Sequence, residues 1–189
     1  MVQTELKNKG FSVFTPKEFA QIFDVSDLAT QQFIHTHTQK NFFTKLRNGL
    51  YALEEKRPNL YFAANKIYSP SYVSLETALS YYGIIPETVY SITSITPKAK
   101  REFEAFGMSF SYTSIKKEAF QGYTVKKEND KTFFIAEPEK ALADYLYLVA
   151  LGKKSWNDRF ETKNISKEKL AQYLDFFGRP KLKTFIAKL

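Results

Sequence analysis

Between Thr88 and Phe134 the apolar residues recur at every second position, whereas on either side of that stretch they recur at intervals of three and four. Period two marks strands with alternating faces, and periods three and four mark helices with one buried stripe. The chain is therefore expected to fold as α+β, with a small antiparallel sheet of roughly four to five short strands set among helices. "TVYSITSIT" alternates, "REFEAFGMSFSYTSI" reads as two strands around Gly107, and "GYTVKKENDKTFFIA" as two more around Asn129-Asp130. Ahead of the alternation lie two helices, "NLYFAANKIY" and one capped by Ser74 whose stripe is Leu75, Ala78, Leu79 and Tyr82, closed by Gly83 with Pro86 beyond. After it comes an amphipathic helix, "EPEKALADYLYLVALG", with Pro138 in its first turn, Glu137 and Glu139 at its positive end and Gly152 closing it. Two short basic helices follow, "SKEKLAQYLDFFG", opened by Ser166 with Glu168 nearby, and "PKLKTFIAKL".

The first 57 residues read as a separate unit, divided from residues 58–189 by the charged, proline-bearing "EEKRPN". Thr15, Pro16 and Glu18 form a helix start with a capping box, and Phe19, Ile22 and Phe23 then follow one buried face. A second helix, "LATQQFIHTHTQK", should stop near Asn41, because Asn tolerates the left-handed conformation that ends helices. Asn48-Gly49 then separates two apolar runs, the signal for a type I′ hairpin in which both central residues take positive φ. Helix, capped helix, turn, helix, hairpin is the order of a winged helix-turn-helix, which lays its second core helix in the major groove and its hairpin against the backbone or minor groove.

On a helical wheel Ala29, Thr30, Phe33 and His37 fall inward with Ile34 at the border, and Gln31, Gln32, His35, Thr38 and Gln39 fall outward. Gln pairs bidentately with adenine, and Thr and His reach base edges, so the outward types suit readout as well as solvation. Lys40, Lys45 and Arg47, with Asn48 at the hairpin tip, are the candidate phosphate contacts. A small helical interaction domain would present the same pattern. His35 and His37, two apart, point about 200° from each other and cannot share a metal ion. His37 is expected on the core face and His35 in solvent.

The chain of 189 residues has no cysteine, which removes disulfides, thiolate metal sites and Cys nucleophiles and suits a reducing cytoplasm. No apolar run has the length of a membrane span, and "MVQTELKNKG" lacks the apolar centre of a signal peptide. A cytoplasmic protein with no membrane contact is the expectation. Phosphate-binding loops, dinucleotide fingerprints, nucleophile elbows and zinc-helix signatures are all missing from the sequence. Glu137, Glu139 and Asp144 near Lys140 are the one group a nuclease could use, with Asp130 as a distant partner, but Pro138 breaks the strand-borne spacing such a site needs. A Lys140–Asp144 surface pair on a capped helix is the simpler account. The chain thus reads as a binding protein, not an enzyme, with neither cofactor nor metal.

The formal charge of +8 is uneven. Residues 40–57 carry a net +3, residues 58–152 a net zero, and residues 153–189 a net +6. Lys153, Lys154, Arg159, Lys163, Arg179, Lys181 and Lys183 in that tail form a solvated helical face, a second contact to DNA, or a surface that competes with a protein partner for a nucleic-acid or nucleotide substrate. Tyr68, Tyr72, Tyr81, Tyr82, Tyr145 and Tyr147 read as core-edge packing, with base stacking as the rival role.

"ANKIYSPSYVSLETALSYYGIIPE", "YSITSITPKAKREFEAFGMSFSY" and "FIAEPEKALADYLYL", in this order and spacing, resemble the AbiEi antitoxin family of type IV toxin–antitoxin and abortive phage-infection systems. "FFTKLRNGLYAL" resembles the wing of that family's N-terminal domain, and the likeness spans about residues 5 to 150. It departs at Asn41, where the family pattern has Gly, and at His37, where it has an aliphatic residue, which bears on the pitch of the reading helix. The resemblance implies that the N-terminal domain represses its own operon by binding repeats in double-stranded promoter DNA, as a monomer binding repeats cooperatively or in a higher state. It also implies that the C-terminal domain opposes a nucleotidyltransferase-like toxin encoded next door, without requiring a stable complex. The alternative is a stand-alone winged-helix transcriptional regulator whose C-terminal domain binds a ligand or a protein.

Overall fold

The computed structural model describes residues 4–6, 11–55 and 57–189. The leading helix of the expected order falls largely outside these residues, as does Lys56. The first part of the chain runs β1 (Val13–Phe14), α1 (Pro16–Phe23), α2 (Asp27–Gln39), β2 (Phe43–Arg47) and β3 (Leu50–Leu53). The capping box forms as expected: Thr15 N donates to Glu18 Oε2 at 2.7 Å and Glu18 N donates back to Thr15 Oγ1 at 3.2 Å. The three strands make an antiparallel sheet in the order β1-β3-β2. Leu6, Phe14, Phe19, Ile34, Phe43 and Leu53 close a small core between this sheet and the two helices. Each such buried side chain contributes roughly 1.5–3 kcal/mol.

The second part runs α3 (Leu60–Ile67), β4 (Tyr72–Val73), α4 (Leu75–Tyr81), β5 (Ser91–Thr96), β6 (Arg101–Ala105), β7 (Met108–Ser114), β8 (Tyr123–Glu128), β9 (Lys131–Ala136), α5 (Pro138–Ala150) and α6 (Lys167–Asp175), with single-turn and terminal 3₁₀ segments at Lys117–Ala119 and Pro180–Lys188. Its sheet is not the small antiparallel one that alternation implied. It has six strands in the order β6-β7-β5-β4-β9-β8, and both β5–β7 and β4–β9 are parallel pairs. Alternation identifies strands but not their direction, and β4 is too short to carry a period. Where β4 ends, the Asn65 side chain replaces the missing ladder partner of β9: its Oδ1 accepts from Phe134 N at 2.6 Å.

Helix α5 is buried on nearly every side, not amphipathic: Glu139 through Leu148 are all enclosed. The hairpin also ties the two parts together. Leu46, Leu50 and Ala52 belong to the larger core while Phe43 and Leu53 belong to the smaller one. The first sheet ends at Leu53, and the hairpin that closes it is packed from both sides. No helix among the described residues is long and apolar enough to cross a membrane.

Candidate nucleic-acid interface

Helix α2 begins at Ser26, whose Oγ accepts from Ala29 N at 3.3 Å, and ends before Asn41, which takes φ 56°. Asn thus fills the left-handed position for which Gly is the usual residue. Thr30 and Ile34 are buried, and Phe33 and His37 are half-buried against the small core. The His37 ring stacks on Phe33 with centroids 3.7 Å apart, and its Nδ1 lies 2.8 Å from Phe33 O, so the ring occupies an aliphatic position by packing flat. His35 lies in solvent, as expected. Ala29, expected inward, is exposed in the first turn of α2.

The outward face carries Gln31, Gln32, His35 and Gln39, all exposed. Gln39 Nε2 lies 3.1 Å from His35 Nε2, a pairing across one helical turn that orients both side chains. Thr38 is only half-exposed, and its hydroxyl donates to Ile34 O at 2.8 Å, so that group is already engaged. Leu28 was not among the sequence candidates, yet it is 66 % exposed and sits three, four and seven residues before Gln31, Gln32 and His35 on the same face. The i, i+3, i+4, i+7 spacing was the available signal; an apolar residue on a polar face suits a thymine methyl group.

The hairpin stands beside this face. Only Gly49 takes positive φ, at 70°, so the turn is not type I′. Instead the pairing shifts by one residue between Lys45 and Arg47, and this irregularity supplies the twist that a type I′ turn would have supplied. Both central residues do take positive φ at Phe106-Gly107 and at Asn129-Asp130. Gln31, His35, Thr38 and Lys45 line one cleft of about 180 Å³ with Ile34 and Tyr51. The structure therefore brings Lys45 to the outward face of α2. Lys40 is exposed at the C-cap of α2, and Asn48 at the hairpin tip; neither lines the cleft.

Arg47, a candidate phosphate contact, is engaged within the chain. Its Nε donates to Ile67 O at 2.7 Å and its Nη1 to Asn48 O at 2.8 Å, so the guanidinium is held between the hairpin and α3. Arg57 is paired with Glu54 and lies over the Phe106 ring at 5.6 Å. The Thr44 hydroxyl and Arg57 hold the Glu54 carboxyl below its ordinary range, against a smaller opposing effect of burial. Lys40 and Lys45 carry no ion pair among the described residues, which leaves them as the cations best disposed toward a phosphate.

In the second part, the Lys140–Asp144 pair is fully buried, not on the surface. Lys140 Nζ donates to Asp144 Oδ1, while Ser74 Oγ and Tyr72 OH donate to Oδ2 at 2.8 and 3.1 Å. The i, i+4 spacing holds, but the pair is enclosed, since two charges that neutralise each other under hydrogen-bond donors can be buried. Burial pushes the Asp144 carboxyl up, with Lys140 and the two hydroxyls opposing it. Ser74 consequently does not cap α4 with its side chain; Thr93 Oγ1 on β5 accepts from Thr77 N at 3.1 Å in its place. Leu75 is held at φ 56° between these contacts. Glu139 accepts from Ser166 N at 3.2 Å, and Glu137 is bound by Lys169 and Tyr173. Asp130 lies at the exposed tip of the β8–β9 hairpin, paired with Lys127.

The tail cations do not act as one free group. Lys154 is paired with Glu76, Arg159 with Glu87 and Lys183 with Asp175, while Arg179 lies 6.0 Å from the Tyr147 ring. Lys153, Lys163 and Lys181 are exposed. Tyr72 is fully buried, and Tyr68, Tyr82 and Tyr145 donate their hydroxyls to the main-chain oxygens of Ala99, Ala136 and Ser155. These rings pack in and around the core and are not a stacking platform. No family model matches the chain, and no curated protein matches it.

Proposed function

We propose that the first part of the chain is a winged helix-turn-helix that binds double-stranded DNA, with α2 in the major groove and the β2–β3 hairpin as the wing. The observation that carries this reading is the shared cleft of Gln31, His35 and Lys45, which sets side chains of base-reading type beside a cation. The sheet order β1-β3-β2 around two packed helices supports it. In this reading Gln31, Gln32, His35 and Leu28 face base edges, Gln39 holds His35, and Lys40 and Lys45 meet phosphates. Arg47 fixes the wing to the second part. Replacing Lys45 by Ala should lower affinity for every duplex and reduce the salt slope by about one phosphate contact. An unchanged slope would remove the wing from the interface.

The resemblance to AbiEi antitoxins supports a cytoplasmic repressor of its own operon whose second part opposes a nucleotidyltransferase-like toxin. Co-expression of the full chain with the adjacent reading frame tests this: growth rescue that survives Lys45→Ala would assign neutralisation to the second part. The alternative, a stand-alone regulator with a ligand-binding second domain, is favoured by one observation, an open cleft of about 360 Å³ beside α3. A neighbouring frame without a nucleotidyltransferase would favour that alternative.

A further inference from the structure

Strand β8 is the free edge of the larger sheet, and the β8–β9 hairpin exposes aromatic surface beside the cleft at α3. Tyr123 is 38 % exposed and Phe134 45 %, with rings 5.7 Å apart at 84°, so they present two faces at right angles. Phe62 and Phe120 line the same cleft. Tyr123 is not a loose ring. It stacks on the buried Tyr72 at 4.9 Å and 21°, and Tyr72 is anchored through its hydroxyl to Asp144. One face of Tyr123 is thus held and the other is offered, which lowers the ordering cost of stacking a ligand on it.

The charge on the cleft wall has one sign. Lys66 lines the cleft and no carboxylate does. Lys66 Nζ and Lys131 Nζ each lie 5.5 Å from the Phe62 ring centre. A cationic ligand would meet the Lys66 ammonium already seated there, whereas an anion would be attracted. The Ser71 hydroxyl, in the cleft wall and 5 % exposed, has no hydrogen-bond partner among the described residues. A volume of about 360 Å³ admits a ligand of nucleotide size.

We propose that this cleft binds a nucleobase together with its phosphate, the base stacked on Tyr123 and Phe134 and the phosphate on Lys66. The shared chemistry belongs both to a free mononucleotide and to a single-stranded nucleic acid. The site is separate from the duplex interface and does not rest on it.

The full chain is titrated with adenosine and uridine monophosphate, with an oligouridine of about eight nucleotides, and with inorganic phosphate. Saturable binding of a base-bearing probe is expected. Phe134→Ala and Tyr123→Ala should each weaken it by roughly 5- to 100-fold, the effect of losing one stacked base. Lys66→Ala should weaken it and reduce the salt slope for the oligonucleotide by about 0.7. An unchanged circular-dichroism melt for each variant excludes unfolding. Equal affinity for monophosphate and oligonucleotide would identify a free nucleotide as the ligand; binding that needs the oligonucleotide would identify a strand. Inorganic phosphate binding as tightly as the nucleotides, no binding of either probe class, or indifference to Phe134→Ala would each overturn the assignment.

Discussion

Arg47 on the hairpin donates from Nε to the main-chain oxygen of Ile67, 2.7 Å away at the end of α3. A candidate DNA contact thus also holds the two parts of the protein together, along with Leu46 and Leu50 in the larger core. Replacing Arg47 by Ala should cost about 1 kcal/mol or somewhat more, because the guanidinium is half-exposed and its hydrogen bond is charge-assisted. Thermal unfolding should broaden or split as the first part melts ahead of the second. The salt slope of duplex binding should stay that of the wild type, in contrast to Lys45→Ala. Loss of about one phosphate contact in Arg47→Ala would return this residue to the interface.

Asp144 receives Lys140, Ser74 and Tyr72, all enclosed. Removing one charge leaves the other buried without its counter-ion, so Asp144→Leu and Lys140→Met should each destabilise by roughly 3–5 kcal/mol. A double variant, Lys140→Met with Asp144→Leu, should be closer to the wild type than either. Urea unfolding of the four proteins closes the cycle. Additive losses would mean that the pair is not coupled.

Glu137 gives a pH dependence with a definite sign. Burial pushes its carboxyl up, but hydrogen bonds from Lys169 and Tyr173 outweigh burial and hold it below the ordinary value of 4.5. A carboxyl lowered in the folded state contributes stability above its unfolded pKa and loses it as pH falls through the folded one. Docking of α6 on α5 should therefore weaken as pH drops below about 4.5, and Glu137→Gln should flatten that limb of the melting-temperature profile. An identical acid limb in the variant would assign the loss to other carboxylates.

Gly122, at φ 74°, meets the Tyr173 ring that Glu137 holds. A Cβ there would lie 2.5 Å from Tyr173 Cε1 and 3.1 Å from Lys140 Cγ. Gly122→Ala should destabilise by roughly 1–3 kcal/mol through overpacking, with further strain from the positive φ. A chemical denaturation midpoint equal to that of the wild type would show that Tyr173 can move away.

Much of the fold was legible wherever a local signal decided local structure. The Thr15–Glu18 capping box, the left-handed stop at Asn41 and the hairpins around Gly107 and Asn129-Asp130 depend on residues only a few positions apart. What stayed hidden depends on partners distant in sequence. Thr93 caps α4 from another strand, β4 pairs with a strand some sixty residues away, and Asp144 is buried because Tyr72 and Ser74 cover it. At the candidate interface the outward set on α2 is readable from the wheel, but Thr38's bond to its own helix and Arg47's bond to α3 are not, since a residue type does not reveal where its donors are already spent. Leu28 carries no such signal, because base edges are read mainly by polar side chains and an exposed leucine on the same face is legible only from its spacing.

The account rests on the outward face of α2 reading base edges. Its most direct test is fluorescence anisotropy of the full chain on a duplex from the promoter upstream of its own reading frame and on a scrambled duplex of equal length. Wild type and a Gln31→Ala, His35→Ala double variant are compared at matched salt. The wild type should prefer the promoter, and the variant should lose that preference by roughly 1–3 kcal/mol per lost base contact while keeping its affinity for the scrambled duplex. Equal binding of both duplexes by the wild type, or a promoter preference untouched in the variant, would contradict it.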